Sequence, residues 1–217
     1  MVQTLDSGAR FPYSTQVTNQ TTPMTAALPS QLLYIAAQFA SKDSCKGSIV
    51  AINVKKEGES IKITSTDGYR AFRVSFGANE TFFMEEDELN LDEKAFRKRI
   101  AKGKVTTLNG EMATVTDDKG SVIVAHPYNA LTVEFPNINT SIWPDTYQNN
   151  PGAPIAFNSA YLAPFLTEVA RFSSIGNVKM NVNMPTTPMQ FEATLEMFGA
   201  EYEVQYLLMP VQIRDSK

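Results

Sequence analysis

Residues 65–72 read Ser-Thr-Asp-Gly-Tyr-Arg-Ala-Phe, and the fold turns on how this stretch is read. Before it, Ile61 and Ile63 alternate with polar residues; after it, Phe72, Val74 and Phe76 do the same. Alternation with a period of two marks a strand with one buried face. Asp67-Gly68 supplies the sharp reversal between the strands, glycine through its freedom to take positive φ and aspartate through bonds to nearby backbone. An isolated Asp-Gly says no more than that. The longer string Thr66-Asp67-Gly68-Tyr69-Arg70, together with the closing stretch Tyr206-Leu207-Leu208-Met209-Pro210-Val211-Gln212-Ile213, is more specific.

Upstream of the corner, residues 1–27 are polar, rich in Thr and Gln, and read as a partly extended arm. Pro29-Ser30 opens a helix predicted to run to about residue 42, with Leu32, Ala36 and Phe39 on one face and Gln31, Gln38 and Lys42 together on another. Strands are predicted at 48–55, 60–65 and 70–76. The acidic run at 85–88 has no accompanying histidine or second carboxylate cluster, so a solvated loop is favoured over a metal or acid-base site.

Downstream, a second helix is predicted over 91–102. Phe96 and Ile100 lie on one side with Leu89, and Lys94, Arg97, Lys98 and Lys102 on the other. Such a basic face either keeps the chain soluble or faces phosphates, since Lys and Arg reach backbone oxygens without reading sequence. Strands follow at 105–108, 111–116 and 121–126, with Asn109-Gly110 as a hairpin signal. Asn149-Asn150-Pro151-Gly152 is the best linker candidate. A strand at 153–157, a helix capped by Asn158 or Ser159 and running to about 172, and strands at 178–183, 189–195 and 202–209 complete the reading. The order strand, helix, strands recurs about three times at roughly 60-residue spacing, and units this short must share a sheet to bury their apolar faces.

Composition narrows the function. The 217 residues are 43% hydrophobic and 19% charged, which is ordinary for a globular chain. There is no apolar run of membrane-spanning length and no basic-then-apolar leader, so no membrane partner and a cytoplasmic location are expected. The net charge of −4 argues against a generally basic DNA-coating surface. One cysteine, Cys45, excludes an internal disulfide and a cysteine zinc site, and the single histidine, His126, has no nucleophile elbow or phosphate loop beside it. No catalytic residue, metal or cofactor is expected.

The corner and the closing stretch together resemble the bacterial replicative sliding clamp, the beta subunit of DNA polymerase III. The likeness covers residues 23–213 and is strongest at 49–72, Phe135-Pro136, 157–162, 178–191 and 206–213. It implies an α+β DNA-clamp fold of repeated helix-plus-antiparallel-sheet units with helices on one face of a continuous sheet. Behind the arm at 1–22, residues 23–148 are similar to the clamp's middle domain, and 153–217 to the second half of its last. The resemblance also implies a processivity factor that closes as a tetrameric or trimeric ring around duplex DNA. Short linear motifs of the polymerase and clamp loader would be held in a pocket. Carried over position by position, that pocket comprises Ile49, Thr66, Gly68, Tyr69, Arg70, Ala71 and Pro136 from the first part. From the second part come Asn158, Tyr161, Thr186, Pro188, Leu207, Leu208, Met209, Pro210 and Val211. Gln31, Gln38, Lys42, Lys94, Arg97, Lys98 and Lys102 would face DNA. Tyr69 stands where the family often has His, Gln212 replaces a usual Arg, and the loop after Pro136 lacks a basic pair. The short chain suggests a clamp encoded by a bacteriophage or other mobile element, acting in a bacterial cell or a phage-infected host. The alternative is a clamp-like adaptor or decoy that binds the same motifs without encircling DNA.

Overall fold

A computed structural model describes residues 25–97, 103–138, 155–182 and 187–211. Strand β1 (Thr25–Pro29) leads into helix α1 (Ser30–Phe39). Strands β2 (Ala51–Glu57), β3 (Ser60–Thr66), β4 (Arg70–Gly77), β5 (Phe83–Met84) and β6 (Glu88–Asp92) follow. Next come β7 (Val105–Asn109), β8 (Met112–Thr116) and β9 (Val122–Pro127), then helix α2 (Ser159–Phe172), β10 (Lys179–Asn181), β11 (Met189–Met197) and β12 (Ala200–Leu208). The strands form two antiparallel sheets, one ordered β5-β1-β7-β8-β9 and the other β10-β11-β12-β4-β3-β2-β6.

The join between β4 and β12 makes the larger sheet continuous. Val74 pairs with Val204 and Arg70 with Leu208, so strands separated by more than a hundred residues are neighbours. One face of this sheet carries Ile52, Val54, Ile61, Ile63, Phe72, Val74, Phe191, Val204 and Tyr206 into the main core. The opposite face is polar except where residues 135–138 cover it: Ile138 packs with Ala71 and Leu207, with Phe135 against them.

Helix α1 departs from the one-sided pattern that its sequence predicts. It touches β1 of the smaller sheet and β2, β3 and β4 of the larger, and Leu32, Leu33, Ile35, Ala36, Ala37 and Phe39 are all buried. A helix packed between two sheets needs apolar residues nearly all round, and the small Ala36 and Ala37 allow close approach. It stops at Phe39, with Ala40 already extended, so Lys42 is not on its surface and Gln31 and Gln38 are half-buried.

Three other expectations change. The start of the helix predicted over 91–102 is strand β6 followed by a single 3-10 turn at Glu93–Ala95; residues 98–102 lie outside the described residues. Leu89 and Leu91 alternate into the core as strand residues, so Leu89 does not share a helical face with Phe96. Pairing of Asn109 with Met112 puts Gly110, φ 57°, first in the two-residue loop, one residue later than the Asn-Gly signal implies. Of the strand expected at 153–157, the described part holds an isolated bridge between Ala156 and Val211.

Helix α2 follows its sequence closely. Asn158 Oδ1 accepts from the Ala160 N–H at 3.0 Å, and Leu162, Phe165 and Val169 face the core. Pro164 lies inside the helix, removing one bond to the preceding turn.

Close packing at the start of α1 rests on Gly103. The Ser30 N–H donates to the Lys104 carbonyl at 3.1 Å, and the Ser30 and Thr106 hydroxyls are 2.8 Å apart. A Cβ at Gly103 would fall 2.0 Å from Val115 Cγ1 and 3.0 Å from Ser30 Oγ. Gly103→Ala is therefore expected to cost about 1–3 kcal/mol through overpacking, read from urea midpoints. If the clash is relieved by space, Val115→Ala should cost less on top of Gly103→Ala than it costs alone, and a neutral Gly103→Ala would remove the constraint.

Candidate functional site

The corner between β3 and β4 is held by its own side chains. Asp67 Oδ1 accepts from the N–H groups of Tyr69 and Arg70 at 3.0 and 3.2 Å. Thr66 Oγ1 accepts from the Gly68 N–H at 3.1 Å and donates to the Arg70 carbonyl at 2.7 Å. Gly68 has φ 93°, and a Cβ there would sit 3.8 Å from Ile49 Cδ1, so conformation rather than space demands glycine.

Arg70 points inward. Its Nε bonds Asp67 Oδ2 at 2.9 Å, Nη1 donates to the Tyr161 carbonyl at 3.1 Å and Nη2 to the Gln38 carbonyl at 3.3 Å. The guanidinium carbon lies 5.1 Å from the Phe39 ring centroid and 5.4 Å from that of Tyr161. The planar fork of arginine suits this multiple engagement. It clasps the corner to the end of α1 and the start of α2, and it is not a free contact for a ligand.

Tyr69 does the opposite. Its ring is 53% exposed, stacks on Tyr161 at 5.7 Å with 10° between planes, and has Lys46 Nζ 5.3 Å from its centroid. The Met209 N–H donates to the Tyr69 carbonyl at 3.0 Å, and the Val211 N–H to the Ala156 carbonyl at 2.9 Å. These bonds bring Met209, Val211 and Phe157, all substantially exposed, to the end of the sheet where Tyr69 lies. Ile49 and Pro210 are half-buried. An exposed apolar cluster beside a cation and anchored on hydrogen-bonded backbone is a surface suited to contact.

The expected pocket residues thus divide by depth. Tyr69, Asn158, Met209 and Val211 are exposed, with Tyr161, Ile49, Pro188 and Pro210 intermediate. Thr66, Ala71, Leu207 and Leu208 are buried. Consecutive strand residues point to opposite faces: Leu208 enters the main core and Leu207 the small cluster under Ile138. Pro136 lies on the far face of the sheet, in a cleft of about 230 Å³ with Asn53, Lys62 and Thr64. Thr186 is outside the described residues. Lys46 and Phe157 are additions that the sequence reading missed. Lys46 sits in a 3-10 segment, Ser44–Val50, with no periodicity to mark it, and Phe157 was absorbed into an expected strand.

No family model matches the chain, and no curated protein does. Solved structures match across most of it. A DNA polymerase III subunit beta from Borrelia burgdorferi, in complex with a natural product, has a TM-score of 0.62 at 14% identity, with 93% of this chain and 68% of that chain covered. A beta clamp from H. pylori in complex with diflunisal gives 0.59 at 10% identity, covering 88% and 67%. The beta subunit from Thermotoga maritima gives 0.51 at 14%, covering 88% and 66%. The fold is that of the bacterial sliding clamps. The chain spans about two thirds of the length of these clamp structures.

Within the clamp fold, the residues expected to face DNA are unequally available. Lys94 and Lys42 are exposed. Arg97 pairs with Glu93 and donates to the Ala40 carbonyl at 3.0 Å, bracing the 93–97 turn against the end of α1, so that Lys42 and Lys94 flank one junction. Gln38 Nε2 turns back to the Tyr34 carbonyl at 3.3 Å. Lys98 and Lys102 lie outside the described residues. Among the described residues no three His, Cys, Asp or Glu side chains are placed to hold a metal ion, and no helix is long and apolar enough to cross a membrane. His126 packs edge-on against Phe96, and the Cys45 N–H is bonded to Asp43.

Two measurements check this geometry. Arg70→Lys is expected to lose about 2–4 kcal/mol of stability, because a point charge cannot replace a fork serving two carbonyls and a carboxylate; an unfolding midpoint equal to that of the parent would show that the clasp carries nothing. Tyr206 is fully buried, and burial pushes its pKa well above the ordinary 10.0, against the partial opposition of Arg70. A raised phenol pKa leaves stability intact below the unfolded-state value and erodes it above. Stability should therefore fall from about pH 10 upward, and fall less steeply in Tyr206→Phe; the slope would not vanish, since Tyr128 and Tyr202 are raised by burial too.

Proposed function

We propose that this chain is a DNA polymerase processivity factor: a sliding clamp whose copies close a ring around duplex DNA and tether polymerase and clamp loader through short linear motifs. The observation that carries the proposal is the exposed Tyr69 and Met209 surface, built on the hydrogen-bonded corner at one end of a clamp-fold sheet. An aliphatic or aromatic anchor buried there contributes about 1.5–3 kcal/mol, and after ordering costs this gives roughly micromolar binding. Tyr69, Tyr161, Met209, Pro210 and Val211 would form the walls, with Lys46 at the rim. The proposed role is non-catalytic.

Two sheet edges support assembly from identical copies. Strand β9 ends the smaller sheet and β10 the larger, with Val122 63% and Met180 52% exposed. Edges with apolar side chains can template another strand, with Lys179 adding a charge to β10. Edges at two different places on the chain give a head-to-tail contact, which closes as a ring when the rotation permits. Residues 23–148 would supply the middle-domain part and 153–217 the last half-domain. Lys42 and Lys94, with Lys98 and Lys102, would meet phosphates through screened contacts that let the ring slide.

The experiment is light-scattering mass across a concentration series, followed by retention on nicked circular DNA. A concentration-independent trimer or tetramer retained on circles is expected, and lost on linearisation. Lys94, Lys98 and Lys102 changed together to Glu should abolish retention with the fold intact. Tyr69→Ala should weaken a partner-polymerase motif peptide about ten-fold and leave the mass unchanged. A monomer that binds the peptide but is never retained on circles would replace the clamp with the adaptor reading, which the inward engagement of Arg97 favours.

A further inference from the structure

One structural unit occurs three times along the chain, and the first two units complete each other. In the first, β1 precedes α1, β2, β3 and β4, and β5 returns to pair with β1. In the second, β6 precedes the turn at Glu93 and strands β7, β8 and β9, and Ala130 returns to pair with Leu91. In the third, residues 155–157 precede α2, β10, β11 and β12, and Val211 returns to pair with Ala156. On its other side, each of the first two leading strands joins the sheet of the other unit: β1 pairs with β7, and β6 with β2. Among the described residues nothing completes the third unit in this way, and β10 ends its sheet.

The exchange follows one register. Pro29 and Asp92, the caps of the helix and of the turn, lie opposite Val105 and Ala51, the first residues of β7 and β2. One residue earlier, Leu28 lies opposite Thr106 and Leu91 opposite Ile52, and all four are wholly buried. The same step in the third unit leads from the Asn158 cap to Phe157, and from Lys179 at the start of β10 to Met180. These two side chains are 40% and 52% exposed. The Val211 N–H donates to the Ala156 carbonyl at 2.9 Å, so the N–H and C=O of Phe157 face the opposite, open side of the strand.

We infer that a second copy of this chain completes the third unit across a two-fold axis. Each copy adds residues 155–157 to the β10 edge of the other, with Phe157 opposite the partner's Met180. Reciprocal exchange between identical copies is what a two-fold contact produces, and it sets one patch against itself. Charge in such a patch would meet like charge. Here there is no Asp, Glu, Lys or Arg from Asn158 to Thr167, and Lys179 is paired with Glu192. Helix α1 touches strands of both sheets, whereas α2 packs on β11 and β12 of one and leaves Ala163, Leu166 and Thr167 exposed. The two-fold contact takes the place of head-to-tail pairing at β10 and leaves β9 for a second contact. It does not depend on whether the assembly encircles DNA, and Phe157 is not among the walls assigned to the motif surface.

The test is disulfide trapping with two single-cysteine proteins, Phe157→Cys and Met180→Cys, each also carrying Cys45→Ala, mixed and oxidised with diamide. Opposed strand residues have Cα atoms about 4.5–5.5 Å apart, within the span of a disulfide. A linked dimer holding one of each protein is expected, with little from either alone. Phe157→Glu should weaken self-association about ten-fold or more in light scattering. Adding Met180→Lys should restore it, because each contact then sets Glu against Lys. Both side chains are exposed in the single chain, so these changes leave its fold intact. A chain that stays monomeric at millimolar concentration, or association untouched by Phe157→Glu, would overturn the inference. Trapping of Met180→Cys by Val122→Cys in place of Phe157→Cys would overturn it in favour of the head-to-tail contact. Trapping in a protein never retained on circular DNA would uphold the two-fold contact and remove the ring.

Discussion

The Tyr161 carbonyl oxygen takes two hydrogen bonds, from the Tyr206 hydroxyl at 2.6 Å and from Arg70 Nη1 at 3.1 Å, and much of the chain is assembled on that point. Tyr206 comes from β12, Arg70 from the start of β4, and Tyr161 from the first turn of α2. The same guanidinium reaches the Gln38 carbonyl near the end of α1. Around this polar centre the rings close up: Tyr206 stacks on Phe165 at 4.8 Å and lies 5.2 Å from Phe39. Buried polar groups must be paired to be tolerated, so the bonds and the aromatic packing require one another. The bonds set the register of β12 on β4, and the rings keep water away from the bonds.

The exposed surface depends on the same arrangement. Tyr69 can project into solvent because Asp67 and Arg70, on either side of it, are committed inward. Its ring stays in place because Tyr161 lies beneath it, and Tyr161 is held by the carbonyl just described. A contact surface built in this way is pre-organised, so a partner does not have to order it on binding. The division of labour within one tripeptide, with Gly68 turning, Tyr69 exposed and Arg70 directed inward, explains why the string carried more information than its Asp-Gly turn.

Sequence patterns were most legible where local chemistry and tertiary demand agreed. Strand β8 alternates because one face meets the core, and α2 announces itself by the Asn158 cap. Helix α1 was located correctly, but its exposed face was misjudged, since nothing local reveals that a second sheet covers a helix. Leu89 and Leu91 fit a short strand as well as a helix, and five residues cannot separate the two periods. The depth of each residue expected at the contact surface was not legible. Whether Leu207 lines a pocket or underlies it depends on Ile138, sixty-nine positions away.

Strand β12 also ties the two ends of the larger sheet together. Its last residues lead into Met209, bonded to the corner at Tyr69, and its first follow the turn at Phe198-Gly199. Between them the strand is paired to β11 throughout and to β4 from Val204 onward, with Tyr202, Val204, Tyr206 and Leu208 all buried on one face. A strand so fixed does not transmit a shift by bending; a displacement at one end would have to break paired ladders or open the aromatic core.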